Sequence, residues 1–373
     1  METSRRKFLG TLGLGAAAAV AAPAVLERLA SAEPSRAAVA GGPILLDSNE
    51  NAYGPFPTVA SAARDALHVA NRYPFREQHQ LQEAVAAYHK ISRNQVLLGN
   101  GSTEMLRVSP CAFCGPSRKV VVAEPTFESI ADYAERMRAE VVKVPLLPNF
   151  AHDLDAMLAK ANGAGLVYIC NPNNPTASLT PRRDIEAFLG KLPKETYVLI
   201  DEAYHHFAAS PEYASFIEHP VDDPRVIIAR TFSKIYGMAG LRLGYAVAQP
   251  KTIERLKPYQ LEDNINMIAA RCALAGLNDE AGMQAAQQQI LADRAEFMRQ
   301  ANNRKLRVIP SYANFLMMET GRPVRTLIAH FNSQNIRVGR PFARMENYLR
   351  VSLGRPEEMT AFWRAWDMLP ART

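Results

Sequence analysis

Short apolar runs and longer amphipathic stretches alternate along this chain. Seven runs, at 96–98, 119–123, 140–144, 166–170, 197–200, 226–229 and 244–248, are rich in Val, Ile, Leu and Ala. Runs this short, bounded by turn residues, are predicted to be buried strands. Between most of them apolar residues recur at helical spacing, as over 108–115 and 130–138. Strands alternating with helices predict an α/β fold, a mostly parallel seven-stranded sheet flanked by helices. Ahead of the sheet, 58–70 and 78–89 read as helices separated by Asn71-Arg72-Tyr73-Pro74. Behind it, a long helix over 283–303 leads into a smaller α/β unit. That unit has strands at 314–318, 336–338 and 349–352 and helices at 324–332 and 357–366.

The N-terminal segment departs from this pattern. Ser4-Arg5-Arg6-Lys7-Phe8-Leu9 precedes a weakly apolar, Ala- and Gly-rich stretch over 10–25, and Ala30-Ser31-Ala32 has the form of a signal-peptidase site. The paired arginines mark a twin-arginine export signal, which places the mature chain in the periplasm or outside the cell. A cytosolic amphipathic start and an uncleaved anchor are the alternatives. The stretch is broken by glycines and ends at Pro23 and Glu27, short of the ~20 apolar residues of a span. No later stretch is a membrane span. The expected organisation is therefore a signal peptide over 1–32, then a linker and N-terminal arm over 33–70 that belongs with the small domain. A large domain over 71–290 and a small C-terminal domain over 291–373 complete it.

Composition narrows the picture only slightly. The chain has 373 residues, 48% hydrophobic and 21% charged, enough for a large core and more than one domain. The net charge of +6 lies in no basic run interleaved with aromatics, so no nucleic-acid partner is expected. Cys111 and Cys114 form a C-x-x-C, which is open to redox, disulfide and metal readings. No second pair or His cluster completes a metal site. The pair ends an apolar helix over 103–113, where cysteine also serves as a small core residue.

Candidate chemistry gathers just past the strands, where open parallel sheets bind ligands. Lys234 follows the run at 226–229 among small and hydroxyl residues, and Arg242 comes after two glycines. A nucleophilic lysine needs a lowered pKa, which burial near another cation provides; the plain alternative is a surface lysine on a turn. Gly99-Asn100-Gly101-Ser102-Thr103-Glu104 joins a strand to a helix. Its free N–H groups at Gly101, Ser102 and Thr103 suit a phosphate, as would those of any tight strand-to-helix turn. Asp201 ends a buried strand, with Tyr204 three residues on; it either faces a site or caps a helix. His205 and His206 follow, as loop or helix residues with a possible contact to substrate.

Several of these stretches resemble the class I/II aminotransferases, which are fold-type I pyridoxal-phosphate enzymes. Thr231 to Gly244 resembles their cofactor-lysine segment. Asn171-Pro172-Asn173-Asn174-Pro175-Thr176 resembles their N-P-x-N-P-T-G run, with Ala177 in place of the glycine. Glu124-Pro125-Thr126-Phe127 resembles their P-T-aromatic turn, and Asn347 to Gly354 their L-R-[IV]-[ST]-x-G strand. Leu46 to Pro55 resembles the entry segment of the histidinol-phosphate aminotransferase branch. The resemblance spans roughly 44–368.

It implies pyridoxal 5'-phosphate as cofactor. Lys234 would bond to it and move the substrate proton. Asp201 would pair with the pyridine nitrogen, and Asn174 and Tyr204 would bond the 3-oxygen. Thr231, Ser233 and Arg242 would hold the phosphate with Gly101, Ser102 and Thr103, and Phe127 would stack on the ring. Tyr73 would reach the phosphate of a second subunit, giving a homodimer with a shared site. Arg350 would grip the substrate's carboxylate or phosphate. Tyr53 would lie over the substrate, with Asn174 also near it. Where the branch carries an arginine directly after the strand at 336–338, this chain has Gly339, with Arg340 one place on as the candidate substrate contact. Asn314 stands at another family-like position. The implied reaction moves an amino group between an amino acid, or a histidinol-phosphate-like amine, and a 2-oxo acid. An oxidase or decarboxylase on the same scaffold, or a non-catalytic binding protein, are the competing readings.

Overall fold

A computed structural model describes residues 42–370. The predicted signal peptide and most of the linker lie outside the described residues. In chain order the elements are β1 (Ile44–Leu46), α1 (Pro57–Ala66), α2 (Phe75–His89), β2 (Val96–Gly99), α3 (Ser102–Phe113), β3 (Lys119–Glu124), α4 (Ser129–Arg136) and β4 (Val141–Pro145). There follow α5 (Leu154–Lys160), β5 (Ala164–Cys170), α6 (Arg182–Lys191), β6 (Tyr197–Asp201), β7 (Val226–Thr231), β8 (Gly244–Ala248), α7 (Pro250–Leu256), α8 (Met267–Leu277) and α9 (Glu280–Asn303). The last are β9 (Arg307–Val308), β10 (Phe315–Glu319), α10 (Val324–Ser333), β11 (Ile336–Val338), β12 (Tyr348–Ser352) and α11 (Pro356–Asp367).

β2 to β8 form one seven-stranded sheet in the order β2-β8-β7-β6-β5-β3-β4. Only β8 runs against its neighbours; the other pairings are parallel. The seven apolar runs are these seven strands. Alternate residues of each central strand enter opposite layers of the core, as a period of two requires. Val167, Ile169, Val198 and Ile200 pack on one face, and Leu166, Tyr168, Cys170 and Leu199 on the other. The order turns back at β3, which β4 and β5 flank. The loops after β3 and β5 therefore diverge and leave a crevice at the carboxyl edge.

Two small sheets complete the fold. β1 pairs in parallel with β11, so the N-terminal arm is bonded to the C-terminal part of the chain. β10 lies between β12 and β9, antiparallel to both. β9 was not anticipated, because two residues are too few to show an alternation. Residues 290 and 291, between which the sequence pattern divides the two domains, lie within the continuous helix α9. Cys111 and Cys114, at the end of α3, are free thiols. Cys114 packs on the core, and burial pushes its thiol up to about 12. Among the described residues no helix is long and apolar enough to cross a membrane.

Candidate active site

The crevice deepens into a cavity of about 1200 Å³. Ser102, Thr103, Phe127, Asn174, Asp201, Tyr204, Thr231, Ser233, Lys234, Arg242, Arg340 and Arg350 all line it. Residues up to 248 positions apart in the chain thus share one wall because each sits just past a strand end or on the C-terminal part facing that edge.

One end of the cavity is built from backbone and hydroxyls. Gly101 takes φ +72° and starts α3, so the helix N-terminus opens toward the cavity with its unbonded N–H groups. Gly244 lets the backbone of Ser102 lie against β8; a Cβ there would collide with the Ser102 nitrogen. A Cβ at Gly101 would likewise meet the Arg242 guanidinium. Gly101 is therefore not on the cavity wall but beneath it, making room for Arg242. Arg242 is held at φ +58° and donates from Nη1 to Ala239 O (2.9 Å) and, more weakly, to Ser233 Oγ (3.4 Å). Thr231 Oγ1 donates to Ser233 Oγ (3.0 Å) and accepts from Ser233 N (3.1 Å). Buried Glu104 secures the turn, accepting from Asn100 N (2.7 Å), Leu261 N (3.0 Å) and Asn264 Nδ2 (2.6 Å). The result is a cationic, donor-rich nest of the kind that suits an anion.

Lys234 is partly buried, and its Nζ donates to Asn49 O (2.9 Å). Its pKa falls to about 8, through burial first and then the nearby Arg350 guanidinium. Asp201 is 3% exposed. Burial pushes its carboxyl up to about 6, against the pull of two hydrogen bonds. Those come from Tyr168 Oη to Oδ2 (2.9 Å) and from Ala203 N to Oδ1 (3.1 Å). Tyr204 is buried with its phenol held neutral by desolvation; it accepts from Asn49 Nδ2 (3.1 Å). Phe127 and Ala203 also line the cavity, offering flat apolar contacts to a ring.

At the other end stands Arg350, which is 8% exposed. Nη1 donates to Asn174 Oδ1 (2.8 Å), Nη2 to Asp47 O, and Nε has no partner. Arg340 reaches the cavity rim, but its guanidinium pairs with Glu128 instead of turning inward. Arg340, expected as a substrate contact, thus lines the cavity with its guanidinium held by that ion pair.

Two other predicted residues are not on the cavity wall. Tyr53 turns to α9, donating from Oη to Asp293 Oδ2 (2.9 Å) and accepting from Gln289 Nε2 (3.1 Å). That bonding directs its hydroxyl to α9 and not to a substrate. Tyr73 is 71% exposed and stacks on Phe75 with ring centroids 5.5 Å apart. His205 and His206 do not line the cavity either; burial holds both imidazoles neutral. They lie near a buried ion pair in which Arg230 Nε donates to Glu202 Oε2 (2.8 Å).

Sequence reasoning missed Asn49 and Tyr168. Asn49 N donates to Ser352 Oγ (2.8 Å), so this one residue joins the arm, β12, Tyr204 and Lys234. Asn314 clamps the same arm, donating to Asn49 O (3.1 Å) and Glu50 O (3.0 Å). Tyr168 carried a usable signal: a hydroxyl inside an aliphatic strand needs a polar partner.

These groups fit pyridoxal phosphate. The nest suits its phosphate, Phe127 and Ala203 its ring, the Asp201 carboxylate its protonated nitrogen, and the Lys234 amine its aldehyde. Fold and site together define a fold-type I pyridoxal-phosphate enzyme. Comparison with known proteins makes the assignment more specific. The family model for aminotransferase class I and II matches residues 42–365. A histidinol-phosphate aminotransferase of Symbiobacterium thermophilum is 40% identical over 63% of this chain and 65% of its own length. An aromatic amino acid aminotransferase of Rhodococcus erythropolis is 37% identical over 68% of this chain and 70% of its own. The crystal structure of histidinol-phosphate aminotransferase from Sinorhizobium meliloti in complex with pyridoxal-5'-phosphate superposes with TM-score 0.81 at 28% identity, covering 86% of this chain and 89% of that one. The chain belongs to the class I and II aminotransferases, a family of pyridoxal-phosphate-dependent transaminases.

Proposed function

We propose that this protein transfers an amino group from an amino-acid donor to a 2-oxo acid, with Lys234 as the group that moves the substrate proton. The observation that carries this reading is an amine with pKa near 8 sharing one cavity with a buried carboxylate, Asp201. When bound, pyridoxal phosphate supplies an aldehyde that links to amines and a protonated ring that draws electrons from the substrate carbon. The N–H groups at the start of α3, the hydroxyls of Thr231 and Ser233, and Arg242 hold its phosphate. Asp201 keeps the ring nitrogen protonated. Asn174 and Tyr204 would bond the 3-oxygen, and Phe127 and Ala203 would contact the ring. Lys234, neutral through much of its population near pH 8, accepts the proton from the substrate carbon and returns it one atom away. Arg350 binds the acidic group of donor and acceptor in turn.

The reading extends to assembly and place. The outward Tyr73–Phe75 stack and the exposed Leu261 support a homodimer in which a second copy covers them. The pairing of β1 with β11 supports grouping the arm with the small domain. Arg5-Arg6 and Ala30-Ser31-Ala32 support export by the twin-arginine route.

Lys234→Ala tests the reading. Turnover is expected to fall at least about a hundredfold, the scale of positioned proton transfer, while the phosphate nest still takes up cofactor in a binding titration. Near-normal turnover in that variant would reject it.

A further inference from the structure

We infer that Asn173 is a positioning residue: its side-chain amide ties the loop after β3 to the loop after β5 and so sets the width of the slot that takes the cofactor ring. The inference rests on the reading above in which Phe127 and Asn174 contact that ring, and it adds the group that holds the two in relation.

The backbone link between these loops stops short of them. The parallel ladder of β3 and β5 ends at the pairing of Val122 with Tyr168. Phe127 and Asn174 both lie beyond it, on the cavity wall. There the connection passes to a side chain. Asn173 is 1% exposed and does not line the cavity. Its Oδ1 accepts from Thr126 Oγ1 (2.7 Å), and its Nδ2 donates to Pro125 O (3.1 Å) and Thr176 Oγ1 (2.8 Å). Two of these bonds reach the residues immediately ahead of Phe127, 47 and 48 positions away in the chain.

The amide has one arrangement that satisfies it. Both of its N–H groups are used, and only the Nδ2 side can face the Pro125 carbonyl. The main chain of Asn173 is held as well: N donates to Ser178 O (2.9 Å) and O accepts from Ala177 N (2.8 Å). Ser178 Oγ gives its hydrogen to Phe150 O (2.7 Å), so Thr176 Oγ1 is the donor in the 2.7 Å bond between the two hydroxyls. Thr126, Asn173, Thr176 and Ser178 are all buried. A buried network satisfied in a single arrangement makes the segments it joins rigid. Asn174 is thus placed at its backbone by the adjoining Asn173 and at its side chain by Arg350 Nη1 (2.8 Å). Without the Asn173 amide the two loops move independently, and binding has to order them at a cost in affinity.

The test is a titration of cofactor-free protein with pyridoxal phosphate, read as Kd, together with the visible circular dichroism of the bound cofactor. Asn173→Ala removes three neutral hydrogen bonds and is expected to raise Kd at least about tenfold and to weaken the dichroism. Thr126→Val keeps the shape and removes one bond, for a rise of about fivefold; Thr126→Ser keeps the hydroxyl, for a rise under about twofold. The double variant of Asn173→Ala and Thr126→Val is expected to match Asn173→Ala alone, because the two groups form one link. Thr196→Val is the control for a purely structural loss. It removes a buried hydroxyl bonded to Ala164 O (2.9 Å), where β5 and β6 begin, at the opposite edge of the sheet. Its Kd should stay within about twofold of the native value. Phe127→Ala checks the underlying ring assignment and should raise Kd too. If Phe127→Ala weakens binding while Asn173→Ala and Thr126→Val behave like Thr196→Val, or if the double variant is additive, the inference is overturned and the ring assignment stands. Native affinity in Phe127→Ala would overturn both.

Discussion

Asp201→Asn is expected to stabilise the cofactor-free protein at neutral pH while abolishing amino transfer. The carboxyl is buried, and its pKa stands at about 6 against 3.8 for the free side chain. A rise of about 2 units corresponds to about 3 kcal/mol. Because the folded value lies above the unfolded one, the stabilising contribution is complete below about pH 3.8 and is lost as the pH climbs through about 6. Above that pH the native fold holds an ionised, desolvated carboxylate at a cost of about 3 kcal/mol. Asparagine has nearly the same shape. Its carbonyl keeps the bond from Ala203 N, and its amide can donate to Tyr168 Oη in place of accepting from it. Urea denaturation of the cofactor-free proteins between pH 4.5 and 8 measures the difference. The gain in the variant should grow from small values near pH 4.5 to about 2–3 kcal/mol at pH 7 and then level off. Saturating cofactor should reverse the order, because the native carboxylate gains a cationic partner and ligand binding adds its own stabilisation. A variant no more stable than the native protein at pH 7, or a gain indifferent to pH, would refute this account of Asp201.

Three other perturbations bear on the same site. Tyr168→Phe removes a hydrogen bond to a charged group, about 1.5–3 kcal/mol, so the acid limb of the pH–rate profile should move up by about 1–2 pH units; a lower rate with an unmoved limb would deny Tyr168 that role. Capture of cofactor by the cofactor-free protein needs the neutral Lys234 amine, so its rate should rise with pH and level off above about 8. A rate still climbing tenfold per unit at pH 10 would indicate an ordinary lysine. Glu202→Gln leaves Arg230 without its buried partner, which should lower stability by about 3–5 kcal/mol, read as a shift of the urea midpoint; a shift under about 1 kcal/mol would show that the pair is solvated.

The architecture was legible because its signals are local. Each of the seven strands is a short apolar run, and burial on both faces is what makes such a run continuous instead of alternating. Lys234, Asp201 and Asn174 were legible for a related reason. Each lies at a strand's carboxyl end or within four residues of it, so the chain around it already states which edge of the sheet it occupies. Gly101 could be seen in a strand-to-helix turn and Gly244 at the start of a strand, but not that they make room for Arg242 and for the Ser102 backbone.

What only the tertiary structure decided are contacts between distant segments. Arg340 meets Glu128 from 212 residues away, and that single pairing decides what its guanidinium faces at the cavity rim. Tyr53 bonds Asp293 across 240 positions. Asn49 lies 303 residues from Ser352 and 185 from Lys234, yet bonds both. The chemistry of a side chain follows from the groups that desolvate, pair with or repel it. The sequence by itself determined which residues reach the carboxyl edge of the sheet. Packing alone determined which of their charges remain uncompensated there, because that depends on neighbours no local pattern encodes.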